Sequence, residues 1–229
     1  PLEPFRKKLA NRKGKEYWRS LNELANSEEF DEMVRQEFPR QASLLSASPT
    51  EMTGWQIAAR LQPARETSGD FYDLIPLPGD QLGIVIADVT DKGLGAALYM
   101  TLTRTLLRTY AANYPGRPDL ALRAVNERLL ADTDSGLFVT LFYGILDPDR
   151  GTLAYCNAGH PPPYLVQTNS GETRVEPLSG RGIALGIVAD PGWGHTVLEV
   201  PRGGLLFLYT DGVIDALSPD GERFGVAAM

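Results

Sequence analysis

Three aspartates stand where an apolar run meets a glycine-bearing turn: Asp70 in Ser68-Gly69-Asp70-Phe71-Tyr72-Asp73, Asp88 directly after Ile84–Ala87, and Asp211 in Leu208-Tyr209-Thr210-Asp211-Gly212. An aspartate that follows a buried strand sits on a rigid mount, with its carboxylate at the sheet edge. Several such groups converging would repel one another unless cations neutralised them. The chain holds one cysteine and two histidines, so a thiolate or histidine-rich metal site is excluded. Oxygen donors alone suit hard divalent cations, Mg2+ or Mn2+. A glycine beside Asp70 and Asp211, and Gly93 in the turn after Asp88, lets a backbone carbonyl or a water come close. The plain alternative for any one of them is that an Asp-Gly pair merely ends a strand.

The elements that must position these acids follow from the patterning. Leu82–Ala87 is a continuous apolar run that reads as a buried strand. Further strands are expected at Trp55–Leu61, Gly69–Leu74, Leu137–Leu146, Thr152–Asn157, Tyr164–Gln167, Thr173–Glu176, Thr196–Val200 and Leu205–Tyr209. Helical spacing runs over Leu94–Tyr110, and Pro118-Asp119 opens a second helix to about Leu130. Two helices followed by hairpin-linked strands predict an α+β fold with antiparallel sheets, not alternating βαβ units.

With 229 residues, 43% of them hydrophobic and 22% charged, the chain can bury a real core. Residues 1–19 carry a net charge of +5 and residues 20–40 a net charge of −4. Leu21, Leu24, Phe30, Met33, Val34 and Phe38 roughly mark one helical face between about 20 and 38, which Pro39 stops. The domain reading is therefore a basic tail and amphipathic docking or regulatory helix over 1–41, then a catalytic-type domain over 42–229. The net charge of −7 argues against nucleic-acid binding by the whole chain. No apolar run is long enough to span a membrane and no signal peptide is visible, so a cytoplasmic protein is the expectation.

Four ordered motifs carry a family resemblance: Gly69-Asp70-Phe71-Tyr72-Asp73, Ile86-Ala87-Asp88-Val89-Thr90-Asp91-Lys92-Gly93, Asn157-Ala158-Gly159-His160-Pro161-Pro162 and Tyr209-Thr210-Asp211-Gly212-Val213. From about residue 42 to 225 the chain resembles the metal-dependent protein Ser/Thr phosphatases of the SpoIIE/RsbU type, relatives of the type 2C phosphatases. The resemblance implies an αββα sandwich, two antiparallel sheets flanked by helices. It also implies removal of phosphate from phosphoserine or phosphothreonine on an anti-anti-sigma-type partner protein. On it, Asp70 and Asp88 correspond to the catalytic pair holding a two-metal Mn2+ or Mg2+ centre, with the Val89 carbonyl and Asp211 as further ligands. Such domains continue with a helix and a last strand bearing another aspartate. No matching acid follows Asp211 here, so the fold is expected to be C-terminally truncated, short of one ligand and with an open sheet edge.

Weaker positions have a bland reading beside the functional one. Asp73 and Asp91 stand as outer ligand partners or as surface acids. His160 and Asn157 read as turn anchors, Lys92 and Arg65 as substrate contacts or solvated cations, and His195 and Cys156 as structural. Residues 15–39 also resemble the N-terminal stretch of an iron–sulfur/molybdopterin-type subunit of alternative complex III. This gives a second function class, a noncatalytic module tethered to a larger, membrane respiratory assembly or to a second copy through the N-terminal segment. A third class, nucleotide binding, is suggested by a strand followed by Gly93-Leu94-Gly95, but Leu98 occupies the place of the third fingerprint glycine.

Overall fold

The apolar run beginning at Leu82 forms a strand, β2 (Leu82–Val89), paired on one side with β1 (Phe71–Pro76) and on the other with β3 (Val139–Asp147). This is seen in a computed structural model that describes residues 52–61, 69–91, 94–132, 136–169, 171–180, 182–218 and 220–226. The expected 20–38 helix, the boundary at 41, Arg65 and Lys92 lie outside the described residues. Adding β4 (Thr152–Ala158) and β7 (Thr196–Glu199) completes a five-stranded antiparallel sheet in the order β1-β2-β3-β4-β7. A smaller antiparallel sheet has β5 (Tyr164–Asn169) between β6 (Glu172–Pro177) and β8 (Leu205–Phe207).

Side chains alternate across a strand, and the larger sheet uses its two faces differently. Val85, Ala87 and Val89 join Val139, Leu141 and Tyr143 on one face, against helices α1 (Leu94–Ala111) and α2 (Pro118–Asp132). Leu107 of α1 and Leu122, Val125 and Leu129 of α2 supply the helical half of that core. Ile84 and Ile86 turn the other way, with Phe142, Leu153 and Tyr155, and meet Leu165 and Leu206 of the smaller sheet. The order is therefore helices, large sheet, small sheet, three of the four layers expected of the sandwich; among the described residues no helix covers the small sheet. The outer side of the small sheet leaves Val175 and Leu205 more than half exposed.

An ion pair fastens the helix layer. Asp73 shares the face of Phe71 and Ile75, is 1% exposed, and accepts hydrogen bonds from Arg104 (3.0 and 3.1 Å) and Arg108. Arginines four apart lie on one side of α1, so both forks reach the same carboxylate. Burial by itself pushes the Asp73 carboxyl up, but the hydrogen bonds from Arg108 and Arg104, with their charges, outweigh it and hold its pKa below the usual value. Asp73 is thus neither a surface acid nor a partner to the ligand acids: strand parity turns it away from Asp88.

Two strand expectations are corrected. Trp55–Leu61 forms only an isolated bridge, Met52 to Trp55, around a tight turn with Gly54 at φ 81°. Trp55 and Ile57 pack on the inter-sheet core while the indole donates to the Pro148 carbonyl at 3.3 Å, so apolar anchoring replaces ladder pairing. β8 ends at Phe207, not Tyr209, because the chain leaves the ladder to reach the site described next. No helix among the described residues is long and apolar enough to cross a membrane.

Candidate active site

On the face between the sheets, the apolar series breaks at one end. Ile84 and Ile86 are followed by Asp88, Phe142 is preceded by Thr140, and Leu153 and Tyr155 are followed by Asn157. The register sets Asp88 opposite Thr140 and Phe142 opposite Asn157. Asp70 immediately precedes Phe71, whose partner is Ala87, so Asp70 stands at the same end as Asp88. The backbone closes tightly here. The Val89 N–H donates to the Gly69 carbonyl at 3.3 Å, and a Cβ on Gly69 would stand 2.7 Å from the Val89 carbonyl oxygen. Only glycine permits that approach.

Asp211 arrives from the other sheet, as the first residue of the short helix α3 (Asp211–Ile214). Asp88 and Asp211 line one cleft of about 410 Å3, together with Thr140, Gly159, His160, Pro161, Pro162 and Gly182. Asp70 is tied to the same turn, since the Thr210 hydroxyl donates to its Oδ2 at 2.7 Å. All three sequence-predicted carboxylates therefore gather at one end of the sandwich. They are not drawn into a cage: among the described residues, no three His, Cys, Asp or Glu side chains group closely enough to hold a metal by themselves. The donors are hard oxygens, carboxylates and the Val89 carbonyl, and their chemistry fits Mg2+ or Mn2+.

His160 forms the buried wall of the cleft and is 3% exposed. Its Nε2 lies 3.1 Å from the Tyr209 carbonyl and its Nδ1 3.1 Å from the Thr140 hydroxyl. Burial pushes the imidazole pKa down to about 4, against the opposing pull of the Tyr209 hydrogen bond and the Asp70 charge, so the ring is neutral at pH 7. Asn157 anchors the turn as expected: its Nδ2 donates to the His160 carbonyl at 3.0 Å, and the His160 N–H donates to its Oδ1 at 2.8 Å.

Gly182 of the lining opens the irregular segment 182–193, which α2 holds in place. Asn126 is buried and bonds it twice, accepting from the Gly186 N–H and donating to the Val188 carbonyl, both at 2.8 Å. Arg123 donates to the Trp193 carbonyl at 3.2 Å, and the Trp193 indole donates to the Ile183 carbonyl at 2.9 Å. A Cβ on Gly182 would meet that indole at 2.5 Å.

The remaining residues singled out above lie apart from this chemistry. Asp91 is exposed, at φ 74°. His195 pairs with Asp119 at 3.1 Å. Burial pushes the Cys156 thiol up to about 12, so no thiolate forms. Thr140 and Gly182 were not foreseen. Thr140 had a signal, a hydroxyl two residues before Phe142 on the same strand face, whereas Gly182 is brought in by a loop with no local pattern.

Comparison with known proteins now bears on this geometry. Residues 78–229 match the family described as Stage II sporulation protein E (SpoIIE). The chain is 37% identical over 213 residues to Protein IcfG of Synechocystis sp., covering 81% of this chain and 33% of that protein. It is 26% identical over 181 residues to the phosphoserine phosphatase RsbU of Bacillus subtilis, covering 79% of this chain and 53% of that one. Among solved structures, the SiaA-PP2C domain of Pseudomonas aeruginosa superposes with a TM-score of 0.62 at 23% identity, over 72% of this chain and 65% of that chain, a likeness of fold. The chain spans about a third to a half of the length of these curated relatives. The resemblance of residues 15–39 to a complex III subunit finds no support in these similarities.

Proposed function

This chain belongs to the SpoIIE family of PP2C-like serine phosphatases, and from that premise we propose that it is a metal-dependent phosphatase acting on phosphoserine or phosphothreonine of a bacterial signalling protein, such as an anti-anti-sigma factor. The supporting observation is the cleft shared by Asp88 and Asp211, with Asp70 bound to the same turn through Thr210. Asp70, Asp88, Asp211 and the Val89 carbonyl would hold Mn2+ or Mg2+, in a two-metal arrangement. A bound divalent cation there supplies charge neutralisation for phosphoryl oxygens and a lowered pKa for water. The chain's own part is placement. Asp88 is fixed by ladder pairing with Thr140 of β3, and Gly159 and Gly182 line the cleft where a Cβ would collide with the packed chain behind it. His160 does not act as the acid for the leaving group, because it is neutral and engaged through both nitrogens.

The test is hydrolysis of a phosphoserine protein in the presence of Mn2+. Asp88→Asn should lower it by roughly 100-fold or more. Near wild-type turnover in that variant places the chemistry elsewhere. One observation favours a second reading, a noncatalytic phosphatase-like module within a larger complex: no three metal-ligating side chains are caged together among the described residues. That reading expects Mn2+ binding to be absent and the chain to co-purify with a partner.

A further inference from the structure

We propose that His160 is a positioning residue for Asp211, acting through the Tyr209 carbonyl as one of two polar tethers that hold the Asp211 turn against the large sheet. This rests on the reading of Asp211 as a metal ligand only for its functional consequence. The structural part stands on geometry alone.

Tyr209 is buried and stacks on Phe207 and Tyr164, but the apolar anchorage stops there. α3 is four residues long with none of them buried, and its N-cap Thr210 makes no side-chain cap bond. β8 ends three residues before Tyr209's successor turn begins, after Phe207, so the sheet ladder does not reach Asp211. Two polar contacts reach the turn from the large sheet and from Asp70. A carbonyl only accepts, so the contact of His160 Nε2 with Tyr209 O at 3.1 Å requires the hydrogen on Nε2. The neutral ring then accepts at Nδ1 from the Thr140 hydroxyl at 3.1 Å. This tautomer links β3, beside Asp88, to the backbone two residues before Asp211. The second tether is the Thr210 hydroxyl on Asp70 at 2.7 Å. The imidazole is itself locked, because Asn157 bonds both backbone groups of His160. One ring and one hydroxyl thereby add polar ties between Asp88 and Asp211, which line one cleft from different sheets, beside the aromatic stacking of Tyr209.

The experiment uses the 229-residue chain. Hydrogen–deuterium exchange, without metal, follows the amides of 209–215 in wild type, His160→Ala and His160→Gln, with β2 and β3 amides as the internal reference. Calorimetry with Mn2+ follows in the same three proteins. His160→Ala should speed exchange in 209–215 by about tenfold with the reference unchanged, the effect of one lost buried hydrogen bond. It should also weaken Mn2+ binding by about 10- to 100-fold, the usual cost of disturbing a group that orients a ligand. His160→Gln keeps a donor near the Nε2 position and should restore most of both. Should His160→Ala lose its fold, Thr140→Val keeps the ring but removes its Nδ1 partner, and the same segment should loosen by a smaller factor. Unchanged exchange over 209–215 in a folded His160→Ala, or in Thr140→Val where that variant decides, overturns the proposal. Absence of Mn2+ binding in the wild type, with the exchange result intact, sinks the proposed function and leaves the tether standing.

Discussion

A single buried imidazole gives the protein a pH signature. In the folded chain His160 has its pKa lowered from 6.5 to about 4 by burial. Between those values the unfolded chain binds the proton that the folded chain refuses, so stability rises with pH across that window. The contribution is complete above the unfolded value and fades as pH falls toward about 4, amounting to on the order of 3 kcal/mol. Urea midpoints for wild type should drop between pH 7 and about pH 4.5 more than those of His160→Gln, which has no proton to gain. Parallel curves for the two proteins would contradict the buried neutral ring. The sequence showed that His160 sits in a glycine–proline turn, and an anchoring hydrogen bond followed from that. It did not show the two partners, Thr140 and Tyr209, because they lie 20 and 49 residues away and meet the ring only after the sheets have packed.

At the scale of elements, β1 and α1 depend on one carboxylate. Asp73→Asn leaves Arg104 and Arg108 facing a neutral amide in a site where the acid is 1% exposed, so it should destabilise by about 3 kcal/mol, measurable by urea unfolding. Because the Asp73 pKa is lowered on folding, its contribution is present at neutral pH. It is lost only as acid brings the medium below the ordinary carboxylate range. The variant's deficit should therefore shrink in strong acid. Most elements were legible: β2 declared itself by its apolar run, and Pro118-Asp119 by the chemistry of a helix start. Asp73 was misread because its role is decided by face. Counting alternation from Phe71 through Ile75 would have put it with the helix-side residues, but its arginines stand 31 and 35 positions later. Trp55–Leu61 failed for a related reason, since aromatic and branched residues suit an irregular segment lying on a core as well as a strand.

For the whole molecule, a cation that binds only the folded chain must raise its stability by mass action, by about 2.7 kcal/mol at a hundredfold excess over Kd. Thermal unfolding with Mn2+ should shift upward and return on chelation; an unmoved transition argues against any metal site. A further expectation concerns the small sheet, where the three-residue edge strand β8 leaves Leu205 57% and Phe207 36% exposed. Apolar side chains exposed together on a sheet face invite association, so sedimentation of the chain should depend on concentration, and Leu205→Lys should reduce that dependence. Asp70, Asp88 and Asp211 could be singled out because each stands beside an apolar run, just before β1, at the end of β2 and four residues past β8, whereas the segment 182–193, which brings Gly182 to the cleft, had no periodicity to read. That segment carries one more consequence. The Trp193 indole fills the space directly behind Gly182, so the cleft has an optical sensor built into its wall. With Trp18 and Trp55 replaced by phenylalanine, the emission of the remaining indole becomes a label-free signal for whatever enters.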